Sequence, residues 1–496
     1  MITFILNNKT IKTDSHPGTT LLDFIRYGEH MPGTKIGCRE GDCGACTVLE
    51  GTVDDNRVNY KSIVSCLTPL GNAHGKHIVT IEGINLKELS PIQNAMAEHS
   101  ATQCGFCTPG FVMSFTSHAL SHEKSTKLKA IAAISGNICR CTGYKSIEKA
   151  ADSISELLKI KDINDPIQWM VENQFLPKYF TEIKSKLQII EQLPSKYDIS
   201  KIIGGGTDLM VQRPKKLAEL DINLFNNRDD LKGIKKEKSS IKIGSGVNAT
   251  EIMKSEIMQE YFPEIQTHFK LISSEQIRNM GTLAGNFVNA SPIGDLSIIF
   301  LALNADITIK ESDNTRKIPL RNFFLAYKKL DLNQGEYIES VFIPVPASNS
   351  KFNFEKVSKR TYLDIASVNS AIYLEIVNET IKEFTLSAGG VSAIPKYLEK
   401  TSAYFKEKKV TNGTIIKANE ILQEEISPIS DIRGTAEYKR FSVNGTLANA
   451  RRFIDIQISV ATDSITVKNV QLQIKNGSID AAIDDAYVST GELSAP

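Results

Sequence analysis

The chain has 496 residues, more than one hydrophobic core holds, so roughly three to four domains of ordinary size are expected. Its residues are 41% hydrophobic and 23% charged, and its net charge is +1, as in many globular proteins. The near-neutral charge gives no electrostatic basis for binding nucleic acid or an anionic membrane. The longest apolar run, around residues 296–303, is far shorter than the ~20 residues that span a bilayer.

The first residues of the chain predict a reducing, cytoplasmic environment, which affects how the cysteines are interpreted. The start, Met1 to Lys9, lacks the basic region and the long apolar region of a signal peptide. We therefore expect a cytoplasmic protein. In such a reducing compartment, its eight thiols are interpreted as metal ligands before disulfides.

A β-hairpin and a short helix are the first predicted elements. Residues 2–6 form a predicted strand, residues 7–8 a turn, and residues 10–13 a returning strand. Thr19 or Thr20 is expected to cap the short helix. With the cysteine-rich loop that follows, these elements predict a small α+β domain.

The first cysteine group has the spacing of a plant-type [2Fe–2S] site. Cys38, Cys43 and Cys46 follow the pattern C-x4-C-x2-C, and Cys66 comes after a predicted strand at residues 57–64. Glycines allow the loop to turn repeatedly, and their N–H groups can bond to cluster sulfurs. These glycines are Gly37, Gly41 and Gly44. A zinc site is the alternative, although zinc prefers paired C-x2-C units and this group has only one.

The second cysteine group lies in a stretch whose periodicity predicts helices. Two helices are expected to begin at Pro91 and Pro109, a third is marked by residues 128–134 and a fourth by residues 147–158. The cysteines fall at helix ends, which favours a four-helix bundle. They are Cys104, Cys107, Cys139 and Cys141. Spacing alone leaves zinc open here, and the neighbouring iron–sulfur pattern favours a second cluster.

A glycine-rich turn follows a linker predicted at residues 161–165. A predicted strand at residues 199–203 leads into three consecutive glycines at 204–206. The N–H groups of such a turn can approach a phosphate, but a tight structural turn explains the pattern equally well. A second pattern, at residues 244–249, fits G-x-G-x-x-A without the βαβ unit of a dinucleotide fold. We interpret it as a structural turn.

Residues 276–295 are dense in small and polar side chains. Leu283, Phe287 and Val288 imply that this stretch is buried, and buried polar groups need hydrogen-bond partners. A large polar cofactor such as a dinucleotide would supply those partners.

The rest of the chain is predicted to form mixed strands and helices. The predicted segments are strands with a helix at 315–345, an antiparallel hairpin at 371–386, and helices at 412–425 and 436–454. Residues 456–496 alternate in part as strands and carry no motif that points to a function.

Both cysteine groups and the polar stretch resemble, in the same order, motifs of the molybdenum hydroxylase family. The resemblance covers residues 1–455 and is to the small iron–sulfur/FAD subunits of the xanthine dehydrogenase branch. The motifs that carry it are GCREGDCGACT at 37–47, QCGFCTPG at 103–110, GNICRCTGY at 136–144, and residues 277–295.

The resemblance implies a multidomain α+β fold. Its domains would be a β-grasp [2Fe–2S] ferredoxin domain at 1–84, a four-helix [2Fe–2S] domain at 85–160, an FAD-binding domain of the PCMH or vanillyl-alcohol-oxidase type at 170–345, and a C-terminal α/β domain like that of carbon monoxide dehydrogenase flavoproteins at 346–455. Residues 456–496 would be an extension of unknown role.

The resemblance also implies the site residues. Cys38, Cys43, Cys46 and Cys66 would hold one [2Fe–2S] cluster, and Cys104, Cys107, Cys139 and Cys141 the other. The implied FAD contacts are Ile203, Gly204, Gly205, Gly206, Thr207, Asp208, Leu209, Ile272, Thr282, Asn286, Asn289, Ser291, Asp295 and Lys356. Ile272 would pack against the flavin ring, and Gln103 and Cys141 would face the molybdopterin of a partner chain. The glycine run lacks the Asn that many relatives carry there, which weakens the side-chain assignment but not the backbone one.

In the function that the resemblance implies, xanthine or hypoxanthine is oxidised at a molybdenum centre on a large partner subunit, in an expected α2β2 heterotetramer. Electrons would pass through the helical-domain cluster, the ferredoxin-type cluster and FAD to NAD⁺, as a step of purine catabolism. Flavin suits this position because it converts between single electrons and hydride. Two alternatives stay open: a related hydroxylase of another N-heterocycle or an aldehyde, and a zinc-stabilised binding or scaffold protein without a redox role.

Overall fold

A computed structural model describes residues 1–191, 202–225, 228–443, 470–475 and 478–483 of the chain. These residues form successive units along the sequence, each built around buried apolar side chains. Within these described ranges, no helix has both the length and the apolar character needed to cross a bilayer.

The first unit is a five-stranded sheet with the strand order β2-β1-β5-β3-β4. Its strands are β1 (Ile2–Leu6), β2 (Lys9–Thr13), β3 (Thr47–Asp54), β4 (Arg57–Val64) and β5 (His77–Val79). β1 pairs in parallel with β5, and the other neighbours are antiparallel. The predicted hairpin is confirmed. Thr20 rather than Thr19 caps α1 (Leu21–Asp23), and a π-helical turn at Phe24–Gly28 follows.

The second unit contains the four predicted helices. They are α2 (Pro91–Glu98), α3 (Thr108–Ala119), α4 (Lys127–Ala133) and α5 (Lys145–Leu157). Ser90 and Gln93 form a reciprocal capping box at the start of α2. Leu128 and Leu157 are predicted to lie on the buried faces of their helices, but they are 79% and 42% exposed. Both residues lie at the ends of their helices.

The prediction of a linker at residues 161–165 is wrong at its first residue. Lys161 is buried, and its ammonium group donates to the carbonyl oxygens of Ala119 at 3.0 Å and Ser121 at 2.6 Å. A cation is favourable at this place because the end of α3 leaves carbonyl groups without partners in the helix. The chain then returns to the first sheet through α6 (Pro166–Glu172) and α7 (Ile183–Gln188).

The third unit is built on an antiparallel five-stranded sheet with the strand order β11-β10-β14-β9-β8. The unit has the strands β6 (Ile202–Ile203), β7 (Asn223–Leu224), β8 (Ile234–Lys236), β9 (Ser240–Gly244), β10 (Asp306–Glu311), β11 (Asn314–Pro319), β12 (Phe324–Ala326), β13 (Lys329–Leu330) and β14 (Tyr337–Pro344). Its helices are α8 (Leu209–Gln212), α9 (Pro214–Leu217), α10 (Ala249–Lys254), α11 (Glu256–Tyr261), α12 (Ile265–Lys270), α13 (Glu275–Arg278), α14 (Leu283–Asn289) and α15 (Asp295–Ala302). β6 and β7 form a separate parallel pair, and β12 and β13 a separate antiparallel one.

The sequence predictions for the third unit are confirmed in part. The pattern at residues 244–249 is a structural turn, because β9 has antiparallel neighbours on both sides. A Cβ on Gly244 would lie 2.2 Å from the carbonyl oxygen of Leu231, so only glycine permits this approach of two backbones. The helix predicted near residues 323–324 is only a 3₁₀ turn at Leu320–Asn322. Of the strand predicted at 199–203, residues 199–201 lie outside the described part of the chain.

The fourth unit is an antiparallel sheet covered by helices. Its elements are β15 (Ser350–Val357), β16 (Val368–Val377), β17 (Thr380–Gly389), β18 (Lys396–Tyr397), α16 (Glu399–Phe405), α17 (Asn412–Glu425) and a helical segment at 436–443. The predicted hairpin and the helix at 412–425 are confirmed. Residues 444–454 of the helix predicted at 436–454 lie outside the described residues. A further hairpin pairs β19 (Val470–Lys475) with β20 (Ser478–Ile483).

Candidate cofactor sites

The first cysteine group is assembled by one loop and two neighbouring strands. Cys38 and Cys43 lie in the loop before β3, Cys46 directly precedes β3, and Cys66 lies in the 3₁₀ turn after β4. β3 and β4 are hydrogen-bonded partners, so they bring Cys46 and Cys66 together. The amide and the hydroxyl group of Ser65 both donate to the carbonyl oxygen of Cys46, at 3.2 and 2.8 Å.

The four thiols of this group form two pairs, Cys38 with Cys43 and Cys46 with Cys66. The hydrogen bond with the Cys43 thiol, helped by N–H groups of the loop, lowers the pKa of Cys38 to about 5 against the opposing effect of burial. The Cys66 thiol likewise lowers the pKa of Cys46. Each pair thus places one readily ionised thiol beside a second thiol. Two metal ions could each take two thiolates from this arrangement.

Glycines in the loop around the first group leave space for the cysteine sulfur atoms. A Cβ on Gly37 would lie 2.6 Å from Cys43 Sγ, and Gly41 has a φ of +81°. The amide of Glu40 donates to Cys38 Sγ at 3.3 Å. N–H groups directed at sulfur stabilise thiolate ligands, so the loop fits an iron–sulfur cluster.

The second cysteine group also forms two pairs. Cys104 Sγ and Cys141 Sγ are 3.7 Å apart, and the thiol of Cys107 is hydrogen-bonded to that of Cys139. The amide and the hydroxyl group of Thr142 donate to Cys139 Sγ at 3.5 and 3.1 Å. These contacts repeat the features of the first group: two thiol pairs and donors directed at sulfur.

The pairing of thiols bears on the choice between a zinc site and an iron–sulfur cluster, which the cysteine spacing left open. A single zinc ion needs its thiolates all at about 2.3 Å from one point. Among the described residues, no three cysteine, histidine, aspartate or glutamate side chains are grouped closely enough to hold one metal ion. Each pair of thiols could serve one iron of a two-iron cluster, in which four cysteines hold two irons.

The two groups differ in exposure and lie in contact. The exposed residues of the second group and its surroundings include Gln103, Cys104, Phe106 and Cys141. Cys46 and Cys66 of the first group are buried. The amide of Ile138 donates to the carbonyl oxygen of Cys43 at 3.0 Å, which joins the two cysteine loops directly. Cys104 and Cys141 therefore lie at the surface, and the loop of the second group contacts that of the first.

The glycine-rich turn after β6 packs closely against the segment before α14. A Cβ on Gly204 would lie 2.7 Å from Thr282 Oγ1, and one on Gly205 would lie 2.0 Å from the carbonyl oxygen of Met280. Gly206 has a φ of +81°, a conformation that side chains rarely adopt. Glycine is therefore required along this turn, and the packing brings the turn to Thr282.

The turn is also joined to the end of α14. Asn289 Nδ2 donates to Asp208 Oδ1 at 3.0 Å, and Lys328 Nζ donates to Asn289 Oδ1 at 2.8 Å. Thr282 caps α14 by accepting the amide of Gly285 at 3.2 Å. Ile203 and Leu209, at the two ends of the turn, pack with the apolar core of the first unit. The structure thus brings together the predicted residues at 203–209, Thr282 and Asn289.

A second set of predicted residues surrounds Asp295, in the first turn of α15. Lys356 Nζ donates to Asp295 Oδ2 at 2.7 Å, and Asn369 Nδ2 donates to Asp295 Oδ1 at 2.6 Å. Lys356 also donates to the carbonyl oxygen of Leu271 at 2.9 Å, directly before Ile272. This nearly buried ion pair links the third unit with strands β15 and β16 of the fourth.

Arg278 holds the turn that carries Ile272. Its guanidinium group lies 3.5, 2.8 and 2.9 Å from the carbonyl oxygens of residues 270, 272 and 273. Lys356 donates to the carbonyl oxygen of Leu271, so the buried side chains of Arg278 and Lys356 together contact the four consecutive carbonyl groups of residues 270–273. Ile272 itself is 5% exposed. Its position is therefore set by backbone contacts on both sides.

Arg278 and Asn369 had no role in the sequence prediction. Arg278 could have been found, since it is the one charged residue of a short motif in a stretch predicted to be buried. No local pattern marks Asn369, because its contact with Asp295 is made between two units.

The remaining predicted FAD contacts are bonded within their own segment. Asn286 Oδ1 accepts the amide and the hydroxyl group of Ser297 at 3.1 and 3.0 Å, and Ser291 Oγ accepts the amide of Ile293 at 3.4 Å. Val288 contradicts the prediction of burial, because it is 43% exposed. The cause is that α14 packs through Leu283 and Phe287 and leaves its polar face partly open.

The chemistry of these residues fits a flavin dinucleotide. The glycine turn supplies backbone N–H groups for a pyrophosphate, and the partly open face of α14 supplies amide side chains for polar groups. Ile272 would be the apolar neighbour of the flavin ring. Bound FAD would provide the conversion between one-electron and two-electron transfer.

Comparison with known proteins finds four domain families along the chain. They are a 2Fe-2S iron-sulfur cluster binding domain at residues 4–70, a [2Fe-2S] binding domain at 80–152, an FAD binding domain in molybdopterin dehydrogenase at 178–346, and a CO dehydrogenase flavoprotein C-terminal domain at 354–452. The predicted multidomain α+β architecture is therefore confirmed. The same matches support iron–sulfur clusters and FAD as cofactors.

The curated relatives are longer proteins. The chain is 26% identical to a xanthine dehydrogenase of Emericella nidulans, over 98% of this chain and 41% of that protein. It is 27% identical to aldehyde oxidase 2 of Rattus norvegicus, over 88% of this chain and 38% of that protein. The chain thus spans about two fifths of the length of these relatives. A solved carbon monoxide dehydrogenase from Hydrogenophaga pseudoflava aligns with 51% of this chain and 88% of its own, at 24% identity and a TM-score of 0.48.

Proposed function

We propose that this chain, which carries the iron–sulfur and FAD domains of the molybdenum hydroxylase family, is the part of such an enzyme that conducts electrons from a molybdenum centre to NAD⁺. The spatial order of the three sites supports this function. The exposed second cysteine group touches the first group through Ile138 and Cys43. The segment that follows Cys66 packs against the glycine turn, since a Cβ on Gly206 would lie 2.8 Å from Pro69 Cγ.

Electrons enter, in this proposal, at the second cysteine group. The exposure of Gln103, Cys104 and Cys141 supports docking of a molybdopterin-bearing large subunit at this surface. Cys46 and Cys66 of the first group are buried, which suits a position between the entry point and the flavin. Two copies of each subunit form the proposed heterotetramer.

Electrons leave the chain as hydride in this proposal. Each cluster exchanges one electron at a time, whereas NAD⁺ takes up two electrons and one proton together. Bound FAD would supply the conversion between the two, because two single electrons and one proton from solvent together make up one hydride. The role of this chain is to hold the flavin close to the first cluster, which the contact between Gly206 and Pro69 supports.

Xanthine or hypoxanthine is the proposed substrate of the partner subunit. The similarity to xanthine dehydrogenases supports this choice. The aldehyde oxidase of Rattus norvegicus is similar at nearly the same identity, which favours an aldehyde or another N-heterocycle as the second candidate. The residues that would distinguish these substrates belong to the partner.

Purification of the native complex tests this function. We expect about four irons and one FAD per chain, a co-purifying molybdenum subunit, and formation of NADH that depends on xanthine. Formation of NADH with an aldehyde but not with xanthine would favour the second candidate. Stoichiometric zinc without a flavin spectrum would reject both and favour a scaffold role.

A further inference from the structure

One amide side chain, that of Asn137, contacts three units of the fold. Its Nδ2 donates to the carbonyl oxygen of Gly44 at 3.1 Å, in the loop of the first cysteine group. Its Oδ1 accepts the hydroxyl group of Ser114 at 2.7 Å and Nε2 of Gln276 at 3.0 Å. Ser114 belongs to α3 of the helical unit, and Gln276 to α13 of the third unit. Asn137 itself is only 5% exposed.

Three glycines allow the units to approach closely around Asn137, at what we call the junction. A Cβ on Gly44 would lie 2.4 Å from the carbonyl oxygen of Gly136, and one on Gly110 would lie 2.3 Å from that of Gly44. A Cβ on Gly136 would lie 2.0 Å from Gln276 Oε1. No side chain larger than hydrogen therefore fits at these three positions. The three units are held together at the junction by backbone contacts and a few polar side chains.

The junction lies between ligands of the two cysteine groups. Gly44 directly follows Cys43, and Asn137 precedes Cys139 by two residues. The amide of Ile138 donates to the carbonyl oxygen of Cys43 at 3.0 Å, parallel to the bond from Asn137 to Gly44. Two adjacent hydrogen bonds thus join the loop of one group to the loop of the other.

We infer that Asn137 is a positioning residue that sets the separation and orientation of the two iron–sulfur clusters, and that it ties them to the flavin unit through Gln276. This inference rests on the proposed function, since it requires that both cysteine groups hold clusters. Its physical basis is that the partners of Asn137 are buried, and buried polar groups are held to their partners because leaving them unpaired is costly. Ser114 and Gln276 are both fully buried.

The contact with Gln276 extends the junction toward the flavin site. Gln276 Nε2 also donates to Ser114 Oγ at 3.1 Å, so each of the three polar side chains is bonded to the other two. Gln276 lies two residues before Arg278, which holds the carbonyl of Ile272. A shift at Asn137 would therefore move α13 and the turn of Ile272 as well as the cysteine loops.

The magnetic interaction between the two reduced clusters tests this inference. Spin–spin coupling depends on the distance and orientation of the clusters, and low-temperature EPR of the fully reduced chain measures it as a splitting. We expect wild-type protein to show the splitting and Asn137→Ala to lose it or show it reduced, while both retain about four irons per chain. Thr116→Ala is the matched control, because the buried hydroxyl group of Thr116 bonds only to Val112 O of its own helix. This control should retain the splitting.

The outcomes distinguish failure of the proposed function from failure of the positioning role. Wild-type protein without two cluster signals would reject the proposed function itself. Two coupled clusters in wild-type protein and an unchanged splitting in Asn137→Ala would overturn the positioning role, even if the variant unfolded at a lower temperature. If Asn137→Ala does not assemble with iron, Ser114→Ala decides, because it removes one of the two donors to Asn137 Oδ1 and little volume. We expect a reduced splitting in Ser114→Ala, and an unchanged one would overturn the inference.

Discussion

The ammonium group of Lys356 lies 2.7 Å from the carboxylate of Asp295, and their side chains are 3% and 11% exposed. The two residues belong to different units, since Asp295 begins α15 and Lys356 lies on β15. Asn369 of β16 donates to the other carboxylate oxygen. Both oxygens of Asp295 are therefore bonded to the sheet of the fourth unit. A change at this residue acts on the flavin unit and on its contact with that sheet.

Substitution Asp295→Ala should lower FAD occupancy while iron is retained. It leaves Lys356 buried without a counter-charge, and removing one partner of a buried ion pair costs about 3–5 kcal/mol of the free energy of unfolding. Flavin absorbance and iron per chain measure the first effect, and urea unfolding the second. Asp306→Ala is the control, because its ion pair with Lys317 is exposed and worth at most about 1 kcal/mol. Unchanged flavin content in Asp295→Ala would refute the assigned role.

Substitution Arg278→Met should disturb the turn of Ile272. The carbonyl groups of residues 272 and 273 lose their donor inside the protein, at a cost of about 3 kcal/mol. If Ile272 contacts the flavin ring, the visible circular dichroism and the reduction potential of bound FAD should also change. Arg321→Met, at an exposed arginine of the same unit, should change neither. A destabilised Arg278→Met variant with an unaltered flavin spectrum would show that the turn does not contact the ring.

Substitution Cys43→Ser should remove one of two cluster EPR signals and about half of the iron, and leave FAD bound. The reason is that Cys43 pairs only with Cys38 of the first group, and the second group is held by its own loops. Cys107→Ser is the reciprocal control and should remove the other signal. Loss of both signals in either variant, or of neither, would contradict two separate clusters.

A buried carboxylate should make stability depend on pH below the neutral range. Burial alone would raise the pKa of Glu50, but the ammonium groups of Lys61 and Lys76 outweigh it and lower the pKa to about 2 from an ordinary 4.5. The folded-state pKa lies below the unfolded one. The contribution to stability is therefore complete above about pH 4.5 and is lost as the pH falls toward about 2. It amounts to about 3 kcal/mol at neutral pH.

Urea unfolding of wild-type protein and Glu50→Gln over the acidic range measures this dependence. The variant should be less stable at neutral pH, because two buried ammonium groups lose their counter-charge. It should also lose less stability on acidification than wild-type protein does. Equal loss in both proteins would exclude Glu50 as the group responsible. The result bears on the flavin turn, since Lys61 also donates to the carbonyl oxygen of Asn279 at 2.9 Å.

Much of the local structure was predictable because its causes are local. The strand at 57–64 and the helix at 412–425 have the predicted bounds, since alternation and helical periodicity are properties of neighbouring residues. Ligand spacing is local in the same sense, because C-x4-C-x2-C must close within one loop. The errors concern burial. Leu128 and Val288 are exposed, and Lys161 is buried against carbonyl groups at the end of α3. Periodicity carries no information about such packing.

The sequence by itself determined the two cysteine groups, the order of the domains and the glycine turn, because each is written in short motifs whose residues are close along the chain. The tertiary structure alone decided how these parts meet. It paired the thiols, placed the second group at the surface, and brought Asn137 to Gly44 and Gln276, and Lys356 to Asp295. The physical reason is that the contacts of Asn137 and of Lys356 join residues 61 to 139 positions apart in the chain. A buried polar group finds such a partner only when separately folded units pack together.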